Sequence, residues 1–398
     1  MTRLLRDTLE DWAGEATVPH DLADRALRRR AWKPAGAAAL VMAMVAGVAL
    51  FVSVQRQPEP VVRPATGVTM PARPSPAPTD VRTDTENSPP ARLIAAGGMA
   101  VSAYYTILRE VVSADQEQVR RTWSLYDPRT GGYEQTPYAW VDVAPGLQVA
   151  AVLDGDLLSR RLGVLDMNTR EVLNWIDLEH QVASVAWSPD GRRILATAYS
   201  SYPDVLRGRG DQAGPAGESP RTGYYVVDVE AGTADYHELP PLPGHLSNKR
   251  IANGNGRQDL GWSVDGTMIW APTSTMPDRL FYSLDGEPRE APEGQRYRTQ
   301  SGLSAISPDG RLALGPDGLP TEITEVGTGK VVGRQRVLQL HAWADDDDVI
   351  ALGCAGTCEN EFDNGLVLVS VDGTKMTQLA ANRDSNKSGA WRWVLTPR

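Results

Sequence analysis

The hydrophobic pattern divides the chain into one long apolar segment near the N-terminus and many short apolar segments after residue 90. The long segment, residues 35–54, reads AGAAALVMAMVAGVALFVSV and has no charged side chain. As an α-helix, these 20 residues would span about 30 Å, the thickness of the hydrocarbon core of a bilayer. The pattern therefore predicts one transmembrane helix over residues 35–54.

Charge on the two sides of this segment predicts its orientation. The preceding residues 28–33 read RRRAWK, whereas only Arg56 and Arg63 follow closely. Basic residues beside a membrane segment stay in the cytoplasm, so we expect a cytoplasmic N-terminus and a plasma-membrane protein with most of its chain outside. A cleaved signal peptide is the main alternative, but the 34 residues before the run and its length oppose it. A buried core helix fits such a long uncharged run poorly.

Residues 1–34 carry apolar residues at near-helical spacing, which predicts short amphipathic helices. One interpretation is a helix that lies on the inner membrane surface. The other is a docking face for a cytosolic protein. The segment resembles the short tails of actinobacterial membrane-anchored proteins, some of which regulate sigma factors. The predicted docking face consists of Leu4, Leu5, Leu9 and Trp12.

Residues 55–90 are rich in proline, with nine prolines between Gln57 and Pro90. Such a composition cannot build a core and favours extended polyproline II structure. At about 3.1 Å per residue, the segment could reach on the order of 100 Å. We therefore predict a disordered linker that holds an outer domain, residues 91–398, away from the membrane.

The outer part repeats a pattern of two short apolar strands joined by a tight turn, typically Ser-Pro-Asp-Gly. This tetrapeptide suits a type I turn with proline second and glycine fourth. The flanking runs are rich in β-forming residues and too short for helices. The copies are residues 182–198, 259–272, 302–315 and 338–353, with a fainter one at 138–153.

A second repeat, a hairpin around an Asp/Gly turn, alternates with the first. One copy of each gives a four-stranded unit, which is the blade of a propeller. The six hairpin turns are marked by Asp127, Asp166, Asp228, Asp285, Gly327 and Asp372.

The SPDG turns between apolar strands resemble the WD40-like blades of TolB-type six-bladed propellers, over roughly three quarters of the chain. The Gly-His…Trp-Asp signature of true WD40 repeats is absent, so the TolB-like form is nearer. The resemblance implies an all-β, six-bladed propeller; seven blades or an open sandwich remain alternatives. In the six-bladed form, residues 388–396 supply the inner strand of the first blade, beside a strand near residues 99–108, and so close the ring.

With the strands in this order, nearly all long loops lie on one face of the propeller. Binding sites usually lie where long loops project from a rigid scaffold. Two of these loops carry basic residues on an otherwise acidic domain. They predict a basic rim for an anionic glycan, a phosphate-bearing wall polymer or an acidic protein; simple solubility is the alternative. The candidate ligand face consists of Arg207, Arg209, Arg221, Lys249, Arg250 and Arg257.

Cysteine and tryptophan each allow two interpretations. Cys354 and Cys358, both outside the membrane in this topology, fit a small disulfide better than two free thiols. Five tryptophans recur in the predicted inner strands, where packing between blades explains them more simply than a sugar-stacking channel. They are Trp140, Trp187, Trp262, Trp343 and Trp391.

Composition excludes some functions and leaves three. A net charge of −10 argues against nucleic acid as a partner. The chain shows no hydrolase elbow, zinc-protease motif or phosphate loop, and its histidines lack metal-ligand spacing, so neither cofactor nor metal is predicted. We expect a non-catalytic, membrane-anchored propeller that binds an extracytoplasmic protein or an envelope polymer. The alternatives are a transmembrane regulator that engages a cytosolic protein such as a sigma factor, and a propeller enzyme such as a lyase or glycosidase.

Overall fold

The structure, a computed structural model, describes residues 67–71, 78–208, 213–215, 219–241, 257–273, 279–292, 295, 303–315, 321–358, 360, 362–384 and 389–398. Within these ranges the regular secondary structure consists of strands and turns, with no helix, and accordingly none long and apolar enough to cross a membrane. The predicted transmembrane helix (35–54) and the amphipathic segment (1–34), with Leu4, Leu5, Leu9 and Trp12, lie outside the described residues.

The strands follow one another along the chain with short turns or longer loops between them. They are β1 (Ala95–Ala96), β2 (Met99–Ser113), β3 (Gln116–Asp127), β4 (Gly132–Gln135), β5 (Trp140–Val143), β6 (Val149–Leu153), β7 (Ser159–Asp166), β8 (Val172–Trp187), β9 (Arg193–Tyr199), β10 (Val205–Arg207), β11 (Gly214–Pro215), β12 (Arg221–Asp228), β13 (Thr233–Glu238), β14 (Gly261–Trp262), β15 (Met268–Pro272), β16 (Arg279–Ser283), β17 (Pro288–Arg289), β18 (Leu312–Leu314), β19 (Glu322–Glu325), β20 (Val331–Arg334), β21 (Gln339–Trp343), β22 (Asp348–Gly353), β23 (Asp363–Ser370), β24 (Met376–Gln378), β25 (Arg383–Asp384) and β26 (Trp391–Pro397).

These strands repeat an up-and-down antiparallel order. The β14–β17 and β21–β24 runs each form four successive strands of one sheet. The long strand β8 belongs to two runs, since its first part pairs with β7 and its second part with β9. In the β18–β20 sheet, an antiparallel bridge from Ile306 to Ala313 continues the order on the inner side. The result is a propeller-like, all-β arrangement.

The first and last strands meet in one sheet. β26 pairs antiparallel with β2, in a register that runs from Met99–Pro397 to Thr106–Trp391. The sheet then continues through β3 to β4. The predicted pairing of the C-terminal strand with a strand near residues 99–108 is therefore confirmed.

The Ser-x-Asp-Gly turns have the predicted geometry. The Gly191 N–H donates to the carbonyl oxygen of Ser188 over 2.8 Å, and the same bond joins Gly310 to Ser307 over 2.9 Å. Both glycines have a positive φ (71° and 78°), which disfavours residues with a Cβ. The serine hydroxyl donates to the aspartate two residues later and accepts an N–H from the next strand, as for Ser188, Asp190 and Arg193. The six predicted hairpins are also present.

The core lies in layers between neighbouring sheets. Between the β8, β9, β12 and β13 strands and the β14–β17 sheet, Leu195 and Tyr224 pack in one cluster with Trp262 and Ile269. Another layer joins Ile94 of the first sheet to Ile350 of the last. Each sheet therefore buries its apolar faces against its neighbours, as the alternating blade pattern requires.

Tryptophans of the inner strands make hydrogen bonds across these layers. The indole N–H groups of Trp187, Trp262 and Trp343 donate to main-chain carbonyls of the preceding inner strand, namely those of Asp142, Ala186 and Ala305, over 2.9–3.1 Å. The interpretation of these three tryptophans as packing between blades is therefore supported by their contacts. Trp140 and Trp391 lie at the opposite ends of their strands and have other partners.

Part of the segment predicted as a disordered linker lies against the sheets, so the predicted boundary at Ala91 is too late. The Val68 N–H donates to the Val229 carbonyl over 3.0 Å, and its side chain joins a core cluster. Asp84 is 1% exposed and accepts main-chain N–H bonds from Ala91 and Arg92. A few apolar and capping side chains thus order a proline-rich stretch that composition alone assigns to disorder.

We predict that W262F lowers the free energy of unfolding by about 1–3 kcal/mol, because it leaves the Ala186 carbonyl without its donor. W175F is the matched control, since the Trp175 ring contacts Tyr138 and Arg161 within its own run of strands. Urea denaturation followed by circular dichroism measures both. Equal losses in the two variants would show that ring burial, not the junction hydrogen bond, is responsible.

A buried carboxyl also lies at one of these junctions. Asp142 Oδ2 accepts the main-chain N–H of Trp187 over 2.7 Å. Burial raises the pKa of Asp142 to about 6, from a usual value of 3.8. A charge on Asp142 is therefore less favourable in the folded protein than in the unfolded chain, and the contribution of this group to stability rises as the pH falls from about 6 towards 3.8.

We expect D142N to be more stable than the unsubstituted protein near pH 8 by about 1–2 kcal/mol, because an amide accepts the same N–H without a charge. This advantage should shrink to about a third of its size at about pH 4.5, because the penalty is lost between the folded pKa of about 6 and the usual value of 3.8. Denaturation at both pH values checks this, with D156N, at a side chain that is 89% exposed, as the control. An advantage that does not change with pH would contradict the assignment of the raised pKa.

Candidate functional site

Strands β2 and β3 extend well beyond their neighbours. β26 reaches only Thr106 of β2, while the β2–β3 pairing continues to Ser113 and Gln116. Residues 107–121, hereafter the ribbon, therefore project by about 20 Å at 3.3 Å per residue. The ribbon lies at the end of the sheet where the sequence analysis predicts the loop face.

A segment from another run of strands crosses to this ribbon. Residues 200–208, hereafter the strap, leave β9 and place β10 beside β3, with Val205 opposite Gln118. The Tyr202 hydroxyl donates to the Val119 carbonyl over 2.8 Å. The strap thus fixes the ribbon from the side.

Asp204 in the strap is the centre of a buried ion cluster. Its side chain is fully buried, and it accepts from Arg121 of β3 over 2.7 Å and from Arg257, before β14, over 2.5 Å. Both arginine side chains are less than one tenth exposed. One carboxylate therefore joins three parts of the fold that are remote in sequence.

Arg257 has further partners. It donates to Asp259 over 3.0 Å and to the Ala183 carbonyl over 3.0 Å. The Tyr199 hydroxyl donates to the same Asp259 carboxylate over 2.8 Å. The guanidinium carbon of Arg257 lies 4.4 Å from the ring centroid of Trp140. This arrangement satisfies the buried charge with acceptors and an aromatic face.

The pKa shifts reflect this pairing. Burial alone would raise the pKa of Asp204, but the charges of Arg257 and Arg121 lower it below its usual value. Burial alone would lower the pKa of Arg257, but Asp259 and Asp204 raise it. The cluster therefore stays ionised, and its role is to hold parts of the fold together.

A second set of aromatic and basic residues, hereafter the Arg383 cluster, lies beside β26. The guanidinium carbon of Arg383 is 4.4 Å from the ring centroid of Trp393 and 5.9 Å from that of Trp391. His341 of β21 meets Trp393 edge to face, with 5.6 Å between the centroids. Burial and the nearby charge of Arg392 lower the pKa of Arg383 to about 10.

His341 shares this environment. Burial and the charge of Arg383 lower the pKa of His341 to about 4. The imidazole is therefore neutral near neutral pH.

The tip of the ribbon exposes aliphatic side chains. Leu108, Val111 and Val112 are 52%, 59% and 57% exposed. Arg120 and Glu110 pair beside them over 2.5 Å. An apolar tip bordered by charges is typical of a surface that another protein covers.

The predicted basic rim differs in the structure. Arg207 is exposed, on β10, whereas Arg209, Lys249 and Arg250 lie outside the described residues. Arg221 is 2% exposed and donates to the carbonyls of Leu239, Pro240 and Gln258. The Arg257 side chain is also buried, so at least two of the six predicted positions do not face solvent. The guanidinium group of Arg221 instead holds the main chain of loops, and that of Arg257 holds the strap.

Cys354 and Cys358 form a disulfide in the structure, with their Cα atoms 6.4 Å apart. The Asn382 amide lies against both sulfurs, at 3.5 and 3.7 Å. The bond therefore closes the loop after β22 and places it against the segment before β25.

Sequence reasoning missed Arg121, Asp204, His341 and Arg383. Asp204 and Arg383 lie in loop-like stretches of ordinary polar composition, and no local spacing connects them to their partners. The sequence pointed to this region only near Trp393, because residues 388–396 were predicted to form an inner strand. Among the described residues, no three His, Cys, Asp or Glu side chains come together as a potential metal site.

The fold just described is that of a propeller-like, all-β protein. No protein-family model matches the sequence, and no curated protein matches it. Similar solved structures include TolB from Acinetobacter baumannii, with 15% identity over 74% of this chain and 66% of TolB, and a TM-score of 0.35. This chain thus spans just under two thirds of the length of TolB.

Two other solved structures are similar at the same level. The β-propeller domain of Cps50 (Swd1) from Myceliophteria thermophila shows 10% identity over 74% of this chain and 89% of the domain, with a TM-score of 0.36. An acylaminoacyl peptidase shows 14% identity over 72% of this chain and 46% of its own, with a TM-score of 0.38. TM-scores this low say nothing about the activity of this chain.

We predict that D204N lowers the free energy of unfolding by about 3 kcal/mol or more, because it leaves two buried arginines without their shared counter-charge. D177N is the control: Asp177 pairs with Arg161 over 3.4 Å, but its side chain is 88% exposed, so its loss should cost below about 0.5 kcal/mol. Guanidinium denaturation of both variants makes the comparison. Similar small losses would show that the strap does not depend on the ion cluster.

Proposed function

We propose that this chain is a membrane-anchored, extracytoplasmic and non-catalytic propeller that binds a protein partner through the tip of the ribbon. The exposure of Leu108, Val111 and Val112 is the observation that carries the proposal. In an ordinary sheet, aliphatic side chains are covered by neighbouring elements, whereas these three side chains lie beyond the neighbouring strands. The strap holds the ribbon, which reduces the entropy lost when a partner binds.

We further propose that the strands form six blades of one closed ring. In this reading the blades are β26–β2–β3–β4, β5–β6–β7–β8, β8–β9–β12–β13, β14–β17, the β18–β20 sheet with the bridge at Ile306, and β21–β24. The β2–β26 pairing supports closure, because it unites the two ends of the domain in one blade.

The membrane anchor is inferred from the apolar run 35–54 and the basic residues before it. The disulfide between Cys354 and Cys358 is in keeping with an oxidising compartment outside the membrane. A cytosolic partner at Leu4, Leu5, Leu9 and Trp12 stays a prediction, as does the regulatory function that it would imply.

The partner proposal is tested with the full-length protein in its native host. We expect V111T/V112T to reduce the crosslinked yield of a partner at least about tenfold, because threonine keeps the β-branched shape while it removes apolar contact. V264T/V331T is the matched control, since Val264 and Val331 are exposed valines elsewhere, at 39% and 38%.

Crosslinked partners are identified by mass spectrometry and quantified in all three proteins. A partner recovered equally from both double variants would exclude the ribbon tip as the interface. Association with isolated cell-wall polymer that is equal in all three proteins, without any protein crosslink, would favour the envelope-polymer alternative.

A further inference from the structure

Arg383 is a buried arginine that pairs with no carboxylate in the described part of the chain. Its residue is 9% exposed. Among the described residues, neither its Nε nor its Nη1 group has a hydrogen-bond acceptor. Its contacts are the faces of Trp393 and Trp391. An aromatic face offsets only part of the hydration that burial removes.

Two other buried arginines of the same protein show the usual solution. Arg221 has three carbonyl acceptors, and Arg257 has two carboxylates. Removal of the counter-charge from such a group is strongly destabilising in proteins. By contrast, the Nε and Nη1 groups of Arg383 are held in place but donate to no acceptor within the described ranges.

The surroundings of Arg383 favour an anion. Arg392 adds a second positive charge that is close enough to lower the pKa of Arg383, and His341 lies on the other edge of Trp393. Tyr105 is the register partner of Arg392 across β2 and β26, and its ring is 5.7 Å from the guanidinium carbon of Arg121. The Asp204 carboxylate already accepts hydrogen bonds from Arg121 and Arg257.

We propose that the Arg383 cluster is a binding site for a small oxyanion group, a carboxylate or a phosphate, with Arg383 as its main donor beside Arg392 and Trp393. The site differs from the ribbon tip, so it stands or falls independently of the protein partner proposed above.

The geometry suits this ligand class. The guanidinium carbon of Arg383 lies 4.4 Å from the ring centroid of Trp393. The N–H bonds of a guanidinium group lie in its plane, in a fork that matches the oxygens of a carboxylate or phosphate. His341, neutral near pH 7, adds no further charge beside Trp393. A bound oxyanion would supply both the missing acceptors and the missing negative charge.

Binding is tested by isothermal titration of the full-length protein with inorganic phosphate and, separately, with acetate. We expect saturable binding of at least one anion to the unsubstituted protein and at least a tenfold loss of affinity in R383M. The matched control is R334M, because Arg334 is 74% exposed and pairs with Glu322 at the surface. Phosphate binding alone would indicate a phosphate ester, and acetate binding a carboxylate.

Thermal unfolding gives a second readout that does not depend on the strength of the titration signal. Without anion, R383M should unfold about 2 °C or more above the unsubstituted protein, because methionine keeps the stem packed and removes an unmatched charge. Added anion should raise the Tm of the unsubstituted protein and of R334M, but not that of R383M.

Two results would overturn the proposal. One is the absence of saturable binding of both anions to the unsubstituted protein. The other is an anion response in R383M equal to that in R334M, with a Tm below that of the unsubstituted protein. The second result would assign Arg383 to the packing of Trp393 alone.

Discussion

The indole N–H bond from one inner strand to the main chain of the preceding one is the interaction on which the arrangement of sheets depends. Apolar layers hold neighbouring sheets together but do not fix how far one slides along the other. A directional bond from Trp262 to the Ala186 carbonyl fixes that position, and Trp187 and Trp343 repeat it. Because each sheet is positioned against the previous one, errors would accumulate towards the end of the domain. The β2–β26 pairing removes this freedom, since the last strand must fit the first sheet.

Four of the buried arginines separate into two groups with different consequences. Arg121, Arg221 and Arg257 hold loops in place, because carboxylate or carbonyl oxygens take up their donors. Their burial explains how an extended strap can lie across the end of the sheets without a hydrophobic core of its own. Arg383 has no such acceptor among the described residues, and stacking on Trp393 positions it without neutralising it. The same residue type therefore serves as a structural tie at Arg121, Arg221 and Arg257, whereas Arg383 supplies an available donor.

Local sequence predicted what is determined locally. The Ser188–Gly191 turn follows from four consecutive residues, whose hydroxyl, carboxylate and positive φ favour the same geometry. The burial of Arg257 could not be predicted in this way, because its counter-charge, Asp204, lies in a loop that starts from a different sheet. Composition likewise assigned Val68 and Asp84 to a disordered linker, although a single main-chain bond to Val229 and a cap on Ala91 and Arg92 order both. Sequence statistics describe what a segment does alone, whereas these contacts depend on what the fold brings beside it.

The rigidity of the scaffold explains why an unmatched charge can persist. In a flexible loop, the Arg383 guanidinium would turn towards water, which is the lower-energy state for an unpaired ion. Here its main chain pairs with Asn364 of β23, and its side chain lies over Trp393, a residue of the strand that joins the two ends of the domain. Movement of Arg383 into solvent would disturb both contacts. Stability supplied by the sheets therefore maintains a local arrangement that is unfavourable by itself, which is a common physical feature of binding sites.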